Sequence, residues 1–206
     1  MMNTFSSSQK YRITFVLIAL NVAIYIYTSW TGQNFLTTNY TQNTIQWVQY
    51  NAAVFQGAYY QLFTSMFIHA SIVHLAGNMM FLLIFGLRGE EMFSLPEYLG
   101  IYLLGGLAGN VLSLAMGPEL LSVGASGAIF ALFGACAIYA RRSIGQSIVG
   151  AIIFGFFLLI ISSGENVNFL AHIGGLVGGL AMGYVLARLH KPKTGYQASY
   201  SYALPF

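Results

Sequence analysis

The most informative property of this 206-residue sequence is how little charge it carries. Asp, Glu, Lys and Arg together make up 6% of the residues, there is no aspartate, and all five acidic residues are glutamates. Soluble domains usually carry about 25% charged residues. Hydrophobic residues make up 57% of the chain, and the mean hydropathy is +0.68. These values exclude a soluble globular domain and indicate an integral membrane protein.

Cysteine and clustered positive charge are also scarce. The single cysteine, Cys136, lies in an apolar run and has no second cysteine for an internal disulfide, so we expect it to pack as a small hydrophobic residue. The basic residues are scattered and form no basic patch of the kind that binds nucleic acid. Because an H-E-x-x-H motif and cysteine pairs are absent, we expect no metal and no other cofactor.

Long apolar runs predict six membrane spans. A helix needs about 20 apolar residues to cross a bilayer. Runs of this kind lie near residues 12–30, 70–87, 97–116, 126–141, 146–162 and 168–189. We interpret the first run as a retained span, because no small-residue cleavage site follows it. The sequence thus predicts one all-α membrane domain over 12–190, with a short segment 1–11 before it and a tail 191–206 after it.

The basic residues predict the orientation of these spans. If the N-terminus is cytoplasmic, all eight fall on the cytoplasmic side: Lys10, Arg12, Arg88, Arg141, Arg142, Arg188, Lys191 and Lys193. Positive charge accumulates on that side of membrane proteins. We therefore expect cytoplasmic termini and a bacterial inner membrane. The long first outer loop, about 31–69, is rich in aromatic residues, and we expect it to lie partly in the outer leaflet.

Polar residues inside a membrane are costly and are candidates for function. One of them, Ser126, begins the fourth span, where unpaired N–H groups and the helix dipole favour developing negative charge. Its own N–H is available to an oxyanion. Gly124 and Gly127 permit a tight turn and the close approach of a substrate backbone. A simple helix N-cap is the alternative interpretation.

His172 lies one turn inside the outer end of the sixth span, at the predicted depth of Ser126. Glycines follow it at spacings that let another helix pack directly against this face. A serine and a histidine at one depth on two close-packed helices suit a nucleophile and a general base. A hydrogen-bonded packing histidine is the alternative.

His74 and Asn78 are four residues apart and therefore lie on one face of the second span. Both can donate hydrogen bonds to an oxyanion. An interhelical polar contact is one alternative. A metal site formed by His69, His74 and His172 is another, and the lack of aspartate and of metal motifs weighs against it.

Three stretches occur in an order that is typical of one family: HASIVHLAGN at 69–78, GASG at 124–127 and AHIGGLVGG at 171–179. With them, the chain resembles the rhomboid family of intramembrane serine proteases over residues 10–190. The resemblance implies a six-helix bundle in which Ser126 is the nucleophile and His172 its base. It also implies oxyanion donors in His74, Asn78 and the Ser126 N–H, and structural roles for His69 and Glu90.

The implied function is an endopeptidase that cleaves transmembrane segments of other membrane proteins within the lipid bilayer. Its active site would open to the outer, periplasmic or extracellular side, and the fifth span would be a loosely packed gate. The alternative is a non-catalytic rhomboid-like binder of transmembrane segments, but such proteins usually lack the serine or the histidine. A transporter is a third possibility, although intramembrane charges and an inverted repeat are missing.

The sequence departs from the family pattern at three places. Tyr60-Gln61 replaces the Trp-Arg pair of the first loop, which removes an anchoring arginine, and we expect aromatic packing to hold the loop instead. Phe130 replaces a tyrosine one turn after the serine, and we expect its ring to stack on His172 and orient it. An acidic residue of some members' first loop is absent. None of these changes affects the serine and histidine.

Overall fold

The computed structural model describes residues 12–144, 149–150, 153 and 168–190. Its long helices are α1 (Arg12–Thr31), α5 (Ile72–Met92), α6 (Leu95–Leu112), α7 (Ser126–Ile144) and α8 (Phe169–Leu189). Three short helices lie between α1 and α5: α2 (Gln42–Ile45), α3 (Asn51–Phe55) and α4 (Gln61–Thr64). Two 3₁₀ turns, Ser65–Phe67 and Ser113–Met116, and two short strands, β1 (Gln49–Tyr50) and β2 (Leu121–Ser122), complete the described elements.

Five of the predicted spans coincide with helices. Within the described residues, four helices are long and apolar enough to cross a membrane, and a shorter apolar helix covers Ser126–Arg141. The largest difference is at the end of α5, which continues to Met92 where the apolar run predicts an end at 87. Helical hydrogen bonding carries on through the polar segment, in which Arg88 and Glu91 pair at 2.6 Å. The predicted fifth span and its gate, like the segment 1–11 and the tail 191–206, lie outside the described residues, apart from 149–150 and 153.

Glu90 ties the first long helix to the second. Its Oε1 accepts a hydrogen bond from the backbone N–H of Thr14 at 2.8 Å. Thr14 lies in the first turn of α1, where N–H groups have no partner within the helix and favour a negative charge. The Thr14 hydroxyl also lies 3.2 Å from the hydroxyl of Tyr98 in α6. Three helices therefore meet at one polar contact, which agrees with the structural role that the family resemblance implies for Glu90.

Glycines let α7 and α8 pack backbone against backbone. A Cβ added to Gly175 would overlap the carbonyl oxygen of Gly127, and one added to Gly179 would overlap that of Ala131. Gly183 faces Ala135 in the same way. The glycine pattern predicts this close contact, and the structure confirms it. The start of α7 is thereby held against the start of α8.

Buried amide hydrogen bonds hold the long outer loop, which corrects the expectation of aromatic packing. Gln49 donates from Nε2 to Ser113 Oγ at 2.9 Å, and Asn51 donates from Nδ2 to the Ser113 carbonyl at 3.0 Å. Gln61, in the place of the family arginine, is buried and accepts the Tyr50 N–H at 3.0 Å. Aromatic pairs do occur, but three aromatic side chains of this loop are more than half exposed: Phe55, Tyr59 and Tyr60.

A small antiparallel sheet brings this loop to the segment before α7. Gln49 of β1 faces Ser122 of β2, and Tyr50 faces Leu121. Cys136 is buried in the core formed by α5, α6 and α7, where its thiol lies 4.0 Å from the Phe85 carbonyl. It packs as the sequence predicts.

Candidate active site

Ser126 and His172 are in direct contact. The Nε2 atom of His172 lies 2.8 Å from Oγ of Ser126, and the two residues are 46 positions apart in the sequence. Ser126 is the first residue of α7, and His172 lies in the first turn of α8. The histidine is 4% exposed, while the serine is partly accessible. Two polar residues that the sequence places at one depth are therefore brought together by the glycine-mediated packing of their helices.

The turn before Ser126 depends on Gly124. This residue has φ +124°, a conformation that side chains with a Cβ rarely adopt. A Cβ at this position would also lie 2.9 Å from the ring of His74. The Gly124 N–H donates to the Ser65 carbonyl at 2.9 Å, which fixes the turn to the outer loop. Because Ser126 is itself the first helical residue, its hydroxyl is directed to His172 and does not cap the helix.

His74 lies against Gly124, close to Ser126. Its backbone N–H donates to the Oγ atom of Ser71 at 3.1 Å. Ser71 is the N-cap of α5, so this bond fixes His74 in the first turn of the helix. The structure therefore places His74 beside the turn that carries Ser126. Its imidazole is a hydrogen-bond donor of the kind that stabilises an oxyanion.

Asn78 is buried one turn further along α5, with its amide already engaged. Its Nδ2 donates to the His74 carbonyl at 2.9 Å, and its Oδ1 has no hydrogen-bond partner among the described residues. The second Nδ2 hydrogen is left for another acceptor. Asn78 therefore shares the helix face of His74, as predicted, while one of its donors serves its own helix.

His69 supports His74 from the loop before α5. It is fully buried, and the two rings pack edge to face with centroids 5.3 Å apart. Burial, and to a smaller extent the nearby His74, lower the pKa of His69 to about 3. The Phe67 backbone opposes this shift with a weaker effect in the other direction. Neither ring nitrogen makes a hydrogen bond of regular geometry within the described residues. His69 is therefore neutral at physiological pH and serves as a packing partner.

Phe130 stacks on His172, as predicted. The ring centroids lie 4.8 Å apart with an interplanar angle of 25°. Stacked aromatic rings attract one another beyond the effect of their buried area. The phenyl ring thus fixes the plane of the imidazole. In the part of the chain that the structure describes, no group of three or more His, Cys, Asp or Glu residues is arranged to hold a metal ion.

Two further residues of this region escape the sequence-based search. Asn168 is the N-cap of α8, where its Oδ1 accepts the Ala171 N–H at 3.0 Å, and its Nδ2 donates to Ser122 Oγ at 2.8 Å. An asparagine immediately before an apolar run is a known helix-start signal. That signal predicts the cap, but nothing in the local sequence indicates Ser122 as its partner.

The comparison with known proteins agrees with this geometry. Residues 56–189, which include Ser126, His172, His74 and Asn78, match the family model of the Rhomboid domain. The chain belongs to the rhomboid family of intramembrane proteases. The matched region runs from the outer loop to the end of α8, so it contains all the residues of the candidate active site.

Three relatives illustrate the extent of the rhomboid similarity. RHOMBOID-like protein 6, mitochondrial, of Arabidopsis thaliana is 35% identical over 67% of this chain and 46% of its own length. Rhomboid protease GluP of Bacillus subtilis (strain 168) is 32% identical over 90% of this chain and 36% of its own length. Putative rhomboid protease YdcA of the same strain is 33% identical over 66% of this chain and 71% of its own length. The chain thus spans half or less of the first two relatives.

Proposed function

We propose that this rhomboid is a serine endopeptidase that cleaves transmembrane segments of other membrane proteins. Ser126 would be the nucleophile and His172 the general base. The observation that carries the proposal is the 2.8 Å contact between Ser126 Oγ and His172 Nε2. This distance is within the hydrogen-bond reach that proton transfer requires.

The reaction would proceed through an acyl-enzyme. His172 takes the proton of Ser126 as the hydroxyl attacks the scissile carbonyl, and later gives it to the leaving amine. A water molecule, activated by the same histidine, then hydrolyses the ester and releases the second product. Negative charge on the carbonyl oxygen would be stabilised by the Ser126 N–H, by His74 and by the free Nδ2 hydrogen of Asn78. Loss of one such donor typically costs about 10²–10³ in rate.

The histidine would be oriented mainly by packing. The sequence contains no aspartate, the residue that fixes the tautomer and the ring plane of histidine in the classical serine-protease triad. The Phe130 ring, stacked at 4.8 Å, would hold the imidazole plane in its place. Phe130 would thus position His172. Gly124 would permit the turn before Ser126, and Gly127 would permit the close contact between α7 and α8.

The substrate would be a transmembrane helix that unwinds locally at the site. Irregular backbone at membrane depth is tolerated where it lines a protein-enclosed or water-filled cavity. We propose that such a cavity is bordered by Ser126, His74 and His172. We further propose the six-span arrangement with cytoplasmic termini, a site that opens to the outer side of a bacterial inner membrane, and a gate formed by residues 146–162.

A fluorophosphonate probe tests the activated serine directly. Folded, detergent-solubilised protein should be labelled, and Ser126→Ala and His172→Ala should abolish the labelling. The same variants should fail to cleave a transmembrane substrate in liposomes. A known active rhomboid, labelled in parallel, controls for the probe. Absence of labelling in folded wild-type protein would contradict the proposal and favour the non-cleaving binder, for which capture of transmembrane segments is the appropriate assay.

A further inference from the structure

We propose that Asn168 and Ser122 form a positioning contact for Ser126 and His172; this inference rests on the proposed protease function. Both side chains are buried, at 8% and 7% exposure, and their hydrogen bond measures 2.8 Å. The amide oxygen of Asn168 is used at the same time to cap α8 through the Ala171 N–H. One side chain thus starts the helix that carries His172 and contacts the segment that carries Ser126.

The contact has the same register as the catalytic pair. Asn168 precedes His172 by four residues (172 − 168), and Ser122 precedes Ser126 by four (126 − 122). Both hydrogen bonds therefore join residues 46 positions apart in the sequence. The two bonds link the same two segments. A shift of one segment against the other that lengthens the Asn168–Ser122 bond would also move Ser126 relative to His172.

Two further contacts join the Ser122 segment to the outer loop. Ser122 faces Gln49 in the two-stranded sheet, and Gly124 donates its N–H to the Ser65 carbonyl. Both contacts tie the segment to the outer loop and do not involve α8. The Asn168 side chain contributes the constraint toward α8 at this end of the helix pair. Further constraints lie inside the bundle, where Gly127 packs on the Ala171 carbonyl and Gly175 packs on Gly127.

A small displacement between reacting groups affects the rate of a reaction more than the stability of the protein. A misplacement of about 1 Å can cost on the order of 10² in rate. Loss of one neutral hydrogen bond has only a modest effect on folding. The contact should therefore be visible mainly in the chemical step, with little change in substrate binding.

Four variants separate the positioning contact from the helix cap. Ser122→Ala removes the contact and leaves the cap. Asn168→Ser keeps a cap oxygen but is too short to reach Ser122. Asn168→Asp keeps the cap and restores the contact, because the Ser122 hydroxyl can turn and donate to the carboxylate. The double variant Asn168→Asp, Ser122→Ala removes that restored contact.

The matched control is Ser113→Ala. Ser113 is also a buried serine with side-chain hydrogen bonds, but it lies in the amide network of the outer loop. Its loss should lower the melting temperature at least as much as Ser122→Ala does, without the same loss of rate.

The experiment measures fluorophosphonate labelling rates across pH, and kcat and KM with a transmembrane substrate. We expect Ser122→Ala and Asn168→Ser to lower the labelling rate and kcat by about tenfold, with KM unchanged. Asn168→Asp should remain close to the wild type, and its double variant should fall to the level of Ser122→Ala. Wild-type rates in Ser122→Ala, or losses no larger than in Ser113→Ala, would overturn the positioning role alone. Folded wild-type protein that does not react would overturn the protease function and this inference together.

Discussion

Gly179 of α8 lies directly against the backbone of Ala131 in α7. A Cβ on this glycine would overlap the carbonyl oxygen and approach the Cα of Ala131. Those atoms belong to the backbone of a helix and cannot turn aside as a side chain can. The distance between α7 and α8, and with it the contact between Ser126 and His172 at their ends, therefore depends on the absence of a side chain at Gly179, as it does at Gly175 and Gly183.

We expect Gly179→Ala to separate the two helices and to lower both stability and activity. Overpacking of this kind costs about 1–3 kcal/mol. Gly100→Ala in α6 is the matched control, because a Cβ there meets nothing within 4 Å. Removal of a glycine from an open helical position stabilises by about 0.5–1 kcal/mol. The melting temperatures of the two variants should change in opposite directions, and probe labelling should fall in Gly179→Ala alone. A neutral Gly179→Ala would contradict the close contact.

The stacking of Phe130 on His172 predicts a loss of rate that a neighbouring phenylalanine does not share. Phe130→Leu keeps an apolar side chain but removes the ring, so turnover should fall by about two- to tenfold, as expected for a stacked pair worth ~0.5–1.5 kcal/mol. Phe133 on the same helix is equally buried, at 7% against 6%, and packs on Phe85. Phe133→Leu should be similarly destabilised with turnover preserved. Equal turnover in the two variants would remove the positioning role of Phe130.

We expect substitution by alanine to lower stability more at Glu90 than at its neighbour Glu91. Glu90→Ala leaves the Thr14 N–H without its acceptor, whereas Glu91→Ala removes an exposed pair with Arg88. Loss of a cap costs about 0.5–2 kcal/mol, and exposed pairs contribute about 0–1 kcal/mol. Glu90→Gln keeps the accepting oxygen and should retain much of the stability. The melting temperatures of these variants in detergent test the prediction. Equal melting temperatures for the two alanine variants would contradict the contact between Glu90 and Thr14.

His69 predicts that stability falls as the pH falls. The pKa of its folded form is about 3, below the ordinary value of 6.5. Between these two values the unfolded chain binds more protons than the folded chain, so acid favours unfolding by up to about 1.4 kcal/mol per pH unit for this one group. His69→Phe removes the group and keeps a ring of similar shape. Unfolding free energies measured from about pH 7 down to about pH 4 should decline less steeply in the variant. Parallel curves would show that His69 takes up no proton on unfolding in this range.

The sequence predicts the elements of this fold better than it predicts their polar contacts. Lengths of apolar runs are local properties, and they place five helices within a few residues. The contact between Ser126 and His172 and the stack of Phe130 on His172 are also predicted. Each predicted span gives the depth of its residues in the membrane, and the glycine pattern indicates which helix faces are in contact. A soluble bundle offers no such common coordinate.

Most of the contacts that are missed join residues far apart in the chain. Asn168 and Ser122 are separated by 46 positions, and Thr14 and Glu90 by 76. Gln61 illustrates the difficulty. The family pattern suggests that loss of an arginine leaves the loop to aromatic packing, yet the replacing amide accepts a backbone hydrogen bond from Tyr50. Which donor such a side chain finds is decided by tertiary packing, which composition and periodicity do not specify.

The amide network of the outer loop has a consequence for chimaeric proteins. Gln49 and Asn51 in the loop bond to Ser113 and Gly117 after α6, and Asn110 donates to the Leu62 carbonyl at 2.7 Å. The loop and the end of α6 therefore depend on each other and have to be exchanged together in a chimaera. A transplant of residues 31–69 into a relative would leave buried amides unmatched unless the recipient segment at 110–117 is exchanged with it. Designs that swap the loop to alter substrate choice should carry both pieces together.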